Sequence, residues 1–564
     1  MLSDLEIAQQ ATIKPIEEIA AKLKIEKGYL ISHGKFIAKI DLSILHKIKN
    51  NPQGKYILVT AITPTPLGEG KTVTTIGLSM ALNKLGKRTS VCIRQPSMGS
   101  VFGIKGGAAG GGYSQVIPME DFNLHFTGDT HAVGVAHNLA AAYLDNSVFK
   151  KNKLNIDPET IMLHRVVDVS DRYLRHVKIG LGSGQDGTPR DSGFDITVAS
   201  EVMAIIALTS GLADLHQRLE QIVLAYNIGR QPVTCGDIKV SGAMAALLKD
   251  AIKPNFIQTI ENTPCFVHAG PFANIAHGNS SILADEIALK LSEFVVTEAG
   301  FGADCGAEKF FDIKCRQSGF IPNACVLVCS IRALKAHSGR FKVVAGKPLD
   351  PGLTHENISA LEQGCCNLEK QIENLHLFGI PVVVAINRFS SDTEKELSFL
   401  VDKAKQLGAD DCVVSEVFSK GSQGGLDLAR AVVKATAKES KFNFLYPLDI
   451  PIKEKINIIA TKIYGASAVE YSEVAKKKIE QFEKLGWDKL PLCMAKTHLS
   501  LSHDPALVGR PKDFILPIGD IRASLGAGFL YPLCGQMRTM PGLPSHPAGE
   551  KIDIDADGKI TGLF

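Results

Sequence analysis

The stretch Thr63-Pro-Thr-Pro-Leu-Gly-Glu-Gly-Lys-Thr72 lies between an apolar run, Tyr56–Ile62, and a helical pattern from Val73 to Leu85. A strand, a glycine-rich turn and a helix in that order make a phosphate-binding loop. Gly68 and Gly70 let the backbone curl so that several N–H groups face one anion, and the helix adds its positive N-terminus. Lys71 is then placed to reach the terminal phosphates, and the Thr72 hydroxyl to ligate Mg²⁺. The nucleotide is therefore expected against Thr65, Pro66, Leu67, Gly68, Glu69, Gly70, Lys71 and Thr72. Thr65 stands where the general G-x-x-x-x-G-K-[ST] pattern has its first glycine, so this is a narrower signature than the common one. The competing reading is a glycine-rich turn ahead of an ordinary helix.

The chain has 564 residues, 45% of them hydrophobic and 21% charged, which suits several soluble globular domains. A net charge of +3, with acids and bases interspersed, argues against a nucleic-acid surface or an anionic membrane as partner. The amino-terminal segment lacks the apolar core of a signal peptide. The longest apolar stretch, Ile196–Leu212, is broken by Glu201, so a cytoplasmic location is expected and membrane insertion is not. Twelve cysteines show no C-x-x-C pair and the histidines no H-E-x-x-H, so reduced buried thiols are expected and no metal beyond Mg²⁺.

Short apolar runs at Tyr56–Ile62, Ser90–Ile93, Phe266–Ala269, Phe294–Thr297, Ala324–Cys329 and Pro381–Asn387 alternate with helical patterns at Val73–Leu85, Ser281–Leu291 and Ser359–Leu377. This rhythm predicts an α/β fold with a doubly wound parallel sheet, its ligands beyond the carboxyl ends of the strands. Between about Thr130 and Arg230 the rhythm lapses. The expected organisation is a discontinuous nucleotide-binding core, 1–130 with 231–365, an inserted helical or α+β domain at 131–230, and a C-terminal region at 366–564.

Three further places gather chemistry. Arg94 follows the second core strand and could grip a phosphate or carboxylate bidentately; a surface salt bridge is the alternative. The run Gly103-Ile-Lys-Gly-Gly-Ala-Ala-Gly-Gly-Gly112 is dense enough in glycine to demand close backbone approach or movement. Glu298 ends a strand and Asp304 follows shortly, so either is a candidate Mg²⁺ carboxylate or a turn former. Ala385-Ile-Asn-Arg-Phe389 lacks the Asn-Lys-x-Asp of guanine-binding proteins, which disfavours GTP.

Pro64–Thr72, Gly103–Gln115 and Gly300-Phe-Gly-Ala-Asp-Cys-Gly-Ala-Glu-Lys-Phe310 together resemble the formate–tetrahydrofolate ligase family over nearly the whole chain. The resemblance implies a P-loop NTPase-like core and ATP-dependent joining of formate to tetrahydrofolate through formyl phosphate, giving 10-formyltetrahydrofolate, ADP and phosphate. It also implies Mg²⁺ with ATP, activation by a monovalent cation such as K⁺ or NH₄⁺, a homotetramer, and the single-function form. By the same resemblance Lys71, Arg94 and Asp129 are catalytic, Gly302 and Asp304 join the ATP site, Thr72 and Glu298 the metal site, and Phe389 and Phe418 stack on folate. Three positions depart from the family pattern. Phe418 stands for a tryptophan, Gln95 for a glutamate, and Lys496-Thr-His-Leu-Ser for Lys-Thr-Gln-Tyr-Ser. Two other readings compete: a carboxylate-activating enzyme similar to dethiobiotin synthetase, and a nucleotide switch of the partitioning-ATPase type.

Overall fold

The computed structural model describes residues 2–105, 108–343, 348–535 and 537–563. A 12-stranded sheet forms its centre. In chain order the strands are β1 (Leu30–His33), β2 (Ile37–Ile40), β3 (Lys55–Ala61), β4 (Thr89–Ile93), β5 (Gly110–Gly111) and β6 (Ser114–Ile117). After a long excursion come β7 (Asn255–Thr259), β8 (Pro264–Val267), β9 (Phe294–Glu298), β10 (Ala324–Cys329), β11 (Val382–Asn387) and β12 (Asp411–Ser415). Across the sheet the order is β1-β2-β7-β8-β4-β9-β3-β10-β11-β12, with β6 pairing on β7. From β8 to β12 all neighbours are parallel, while β1, β2 and β7 form an antiparallel margin.

Six helices matter for the site: α1 (Lys71–Lys84), α2 (Asp129–Lys150), α3 (Glu201–Leu208), α4 (Ile282–Leu291), α5 (Ile331–His337) and α6 (Ile358–His376). The alternation of side chains along β3 assigns its two faces. Tyr56 and Leu58 enter one core with α4 and α6, whereas Ile57, Val59 and Ala61 enter another with Ile76, Leu78 and Met80 of α1. Because both faces are covered, β10 reads Ala-Cys-Val-Leu-Val-Cys without a polar residue and is buried throughout. Truncating Leu327 in its middle would cost about 2–5 kcal/mol. A third core packs α2 and α3 with Leu215, Leu224 and Met244, and takes Cys493 and Phe529 from the far end of the chain.

From β3 the chain crosses to β4 on one side, whereas from β9 it crosses over β3 to β10 on the other, so the two crossovers run in opposite directions. The crevice that opens at such a reversal lies beyond the carboxyl end of β3, where the glycine-rich loop sits. No helix among the described residues is long and apolar enough to cross a membrane.

Candidate active site

The loop between β3 and α1 is closed by its own side chains. Gly68 and Gly70 adopt φ of +73° and +77°, which a residue with a Cβ rarely takes. A Cβ on Gly70 would also collide with the Asn387 amide, whose Nδ2 donates to Glu69 O at 3.2 Å. The Glu69 carboxylate turns inward and accepts from Thr65 N at 2.7 Å and Thr65 Oγ1 at 3.0 Å. A glycine at position 65 would lose the hydroxyl half of that clasp, which gives the unusual threonine a local purpose. Burial raises the Glu69 pKa, opposed chiefly by the Lys71 charge.

The start and the crest of the loop hang on α5 and α6. Thr63 N donates to Asn367 Oδ1 at 3.1 Å, and Thr63 Oγ1 accepts from Asn367 Nδ2 at 2.9 Å and Gln371 Nε2 at 3.0 Å. His337 Nε2 donates to Thr63 O at 2.8 Å, leaving Nδ1 to accept from Gly509 N. Arg332, from the first turn of α5, donates to Leu67 O at 3.2 Å. These fixing residues were not among the expected ones. Their one sequence signal is the polar pair Asn367 and Gln371, four apart on the helical pattern of α6, whose buried face also carries Lys370 and Asn374.

At the start of α1, Thr72 Oγ1 donates to Glu298 Oε2 at 2.7 Å, so the two expected metal residues meet across β9 and β3. One carboxylate and one hydroxyl suit Mg²⁺, which takes few protein oxygens and fills its octahedron with phosphates and water. The Lys71 ammonium has no ion-pair or hydrogen-bond partner among the described residues. Lys71 is partly enclosed, and burial first, then the Arg94 charge, lowers its pKa against Glu69 and Glu298. Arg94 leaves the end of β4 and donates only a long bond, 3.4 Å, to Pro271 O, while its Nε is buried without a partner. A Cβ on Gly300 would stand 2.7 Å from Ala273 Cβ and 3.3 Å from Arg94 Nη2, so the bend after Glu298 is packed closely against the wall that carries the guanidinium. Lys71, Arg94 and Glu298 thus act on one another electrostatically in one crevice.

Other expected residues take different positions. Asp129 opens α2 at the antiparallel margin, buried, with Lys39 Nζ at 2.7 Å and Asn255 Nδ2 at 2.7 Å. Asp304 is fully buried, paired with Lys496 Nζ at 2.8 Å, and reaches the loop only through Gln371 Nε2 at 3.0 Å. Gly302 packs on Ile62 O and Thr63, where a Cβ would stand 3.1–3.2 Å away. In the departing segment after Lys496, the His498 ring stacks on Phe301 with centroids 4.2 Å apart.

Phe389 and Phe418 follow β11 and β12, whose ends are in register at Asn387 and Ser415. The guanidinium of Arg332 lies 3.5 Å from the Phe389 ring centroid, covering one of its faces. Phe418 is 41% exposed and leans on the glycine-rich strand, where a Cβ on Gly111 would stand 3.1 Å from its ring. Tyr113 N donates to Phe418 O at 2.8 Å. Gly106 and Gly107 of that run lie outside the described residues, as do the side chains of Ile104 and Lys105.

A family model described as formate–tetrahydrofolate ligase matches residues 2–564. The chain belongs to the formate–tetrahydrofolate ligase family. It is 58% identical to a formate–tetrahydrofolate ligase of Roseiflexus castenholzii over 563 residues, covering 100% of both chains. It is also 56% identical to one of Desulforamulus reducens, covering 100% of this chain and 99% of that one. A formate–tetrahydrofolate ligase of Rubrobacter xylanophilus shares 53% identity over 100% of both.

Proposed function

We propose that the chain ligates formate to tetrahydrofolate at the expense of ATP, on a P-loop NTPase-like core, through a formyl phosphate intermediate. The observation that carries this reading is the convergence of Lys71, Arg94 and the Thr72–Glu298 pair at the mouth of one phosphate loop. Formate is a weak nucleophile with a poor leaving group, and phosphorylation remedies the second defect. A formate oxygen attacks the γ-phosphorus and ADP departs. The folate N10 then attacks the formyl carbon, phosphate leaves and the amine loses its proton, giving 10-formyltetrahydrofolate.

The loop N–H groups and Lys71 hold the transferring phosphoryl group, and most of the acceleration of the first step is positioning and charge neutralisation. Thr72 and Glu298 would hold Mg²⁺, whose chemistry here is to neutralise phosphate oxygens. Arg94, poorly satisfied in the free protein, is the group that grips formyl phosphate. Asp129 is proposed as the carboxylate that manages the amine proton. Phe389 and Phe418 provide aromatic surface for the pterin, with a smaller second ring than the family's tryptophan. Family membership also supports a homotetramer activated by K⁺ or NH₄⁺ and working in the cytoplasm. ADP release measured with formate and tetrahydrofolate, separately and together, tests the reading. Release only with both supports it; partner-free turnover with ATP alone refutes it.

A further inference from the structure

The carboxyl ends of three neighbouring parallel strands, β3, β10 and β11, carry the phosphate loop, α5 and Phe389 respectively. Arg332 lies on the middle one. Ser330 caps α5 by accepting from Ala333 N at 3.3 Å, which sets the helix direction and places Arg332 in its first turn. From there one Nη donates to Leu67 O at the crest of the loop, at 3.2 Å. The flat face of the same guanidinium lies 3.5 Å from the Phe389 ring centroid. Its Nε is buried with no acceptor. The nearby carboxylates are already engaged elsewhere: Asp392 accepts from Phe389 N at 2.8 Å, and Glu69 holds Thr65. No carboxylate among the described residues lies within ion-pairing distance of Arg332, so its attachments are a loop carbonyl and an aromatic face.

We propose that Arg332 is a positioning residue that couples the nucleotide loop to the folate platform. The proposal rests on the reading of Phe389 as part of that platform. A guanidinium stacked on one face of Phe389 leaves only the other for the pterin and adds charge behind the ring. Leu67 lies between Thr65 and two glycines with left-handed backbone, in the loop read as the phosphate site. A shift of the Leu67 carbonyl moves the guanidinium, and with it the ring face offered to folate. Binding linkage is reciprocal, so folate must affect nucleotide affinity by the same factor.

Calorimetry tests this with a non-hydrolysable ATP analogue and tetrahydrofolate, each titrated with and without the other. In the unmodified protein each ligand should change the affinity of the other at least about fivefold, by equal factors. In Arg332→Ala each ligand should still bind while the factor falls to within about twofold of unity, the lower bound of resolvable coupling. Arg332→Lys retains charge but not the flat face, and should lose the coupling equally; it also decides the matter if the alanine variant does not fold. Undiminished coupling in either folded variant, or none in the unmodified protein, overturns the proposal. Phe389→Leu separates the premise from the inference. Lost folate affinity there, with coupling intact in the Arg332 variants, sinks Arg332 alone; unchanged folate affinity removes the platform and the proposal with it.

Discussion

Replacing Lys71 with methionine should separate stability from activity in opposite directions. The ammonium is partly enclosed, burial lowers its pKa, and no ion-pair partner lies within reach among the described residues. Methionine keeps the apolar stem and removes the desolvation cost, so the ligand-free protein should melt no lower than the parent. Ligation, by contrast, should fall about 10²–10³-fold in kcat/KM, since one cation contact at the transferring phosphoryl is worth roughly 2.7–4 kcal/mol. ATP should also cease to raise the melting temperature; in the parent, ATP at a hundred times its Kd adds about 2.7 kcal/mol. There is a pH signature too. The folded-state pKa lies below the free-lysine value of 10.5, so between the two the folded protein holds fewer protons and its stability rises with pH. The slope is at most about 1.4 kcal/mol per pH unit, and it should vanish in the methionine variant. Turnover within tenfold of the parent, or a ligand-free variant melting several degrees earlier, would refute the reasoning.

Three further outcomes are expected. Phe418→Ala should weaken tetrahydrofolate by about 1–3 kcal/mol with ATP affinity unchanged, and Phe418→Trp should tighten it by growing toward solvent from the crowded Gly111 side; titrations that show lost stability but unaltered folate affinity would make the ring mere packing. Asp129→Asn should cost about 3–5 kcal/mol by stranding the Lys39 ammonium, which is 2% exposed. Adding Lys39→Met should restore the melting temperature but not ligation, and a return of activity in the double variant would withdraw Asp129 from the chemistry. Glu201 accepts from Gly526 N and Ala527 N, and burial raises its pKa to about 8. The folded protein therefore binds the extra proton between about 4.5 and 8, this contribution being complete below that window and lost as pH rises through it. Glu201→Gln should flatten the decline in thermal scans across that range, and an unchanged slope would refute the assignment.

Much of this arrangement was legible because parallel strands buried on both faces leave an unmistakable mark. β3, β4, β8, β9, β10 and β11 all fall on apolar runs read from the chain. β7 and β12 escaped for opposite reasons. Asn255-Phe-Ile-Gln-Thr259 buries polar residues that pair with Asp129 and Lys14, and Asp411–Ser415 is an edge strand only partly covered. In the site, the residues expected at the phosphates carry a local pattern, so Lys71 and Thr72 could be read together, whereas Glu298 could be read only as one of two carboxylates near the end of an apolar strand. Those that hold the loop, Arg332, His337, Asn367 and Gln371, lie on other helices. Their partners are backbone and side-chain groups far away in the chain, and apart from the four-residue spacing of Asn367 and Gln371 no local pattern announces them.

The thiols give that suspension an experimental handle. All twelve cysteines are unpaired, and only Cys366 is not buried. It lies directly before Asn367, and a Cβ on Gly509 would stand 3.2 Å from its sulfur; Gly509, whose N donates to His337 Nδ1 and whose O accepts from Asn367 Nδ2, thus rests against it. Burial raises its pKa, which keeps it mostly as the slow-reacting thiol. An alkylating reagent should therefore modify one site first and then stall. The rate of that first modification should report how often the Gly509 backbone parts from His337 and Asn367, readable in native protein with no label introduced.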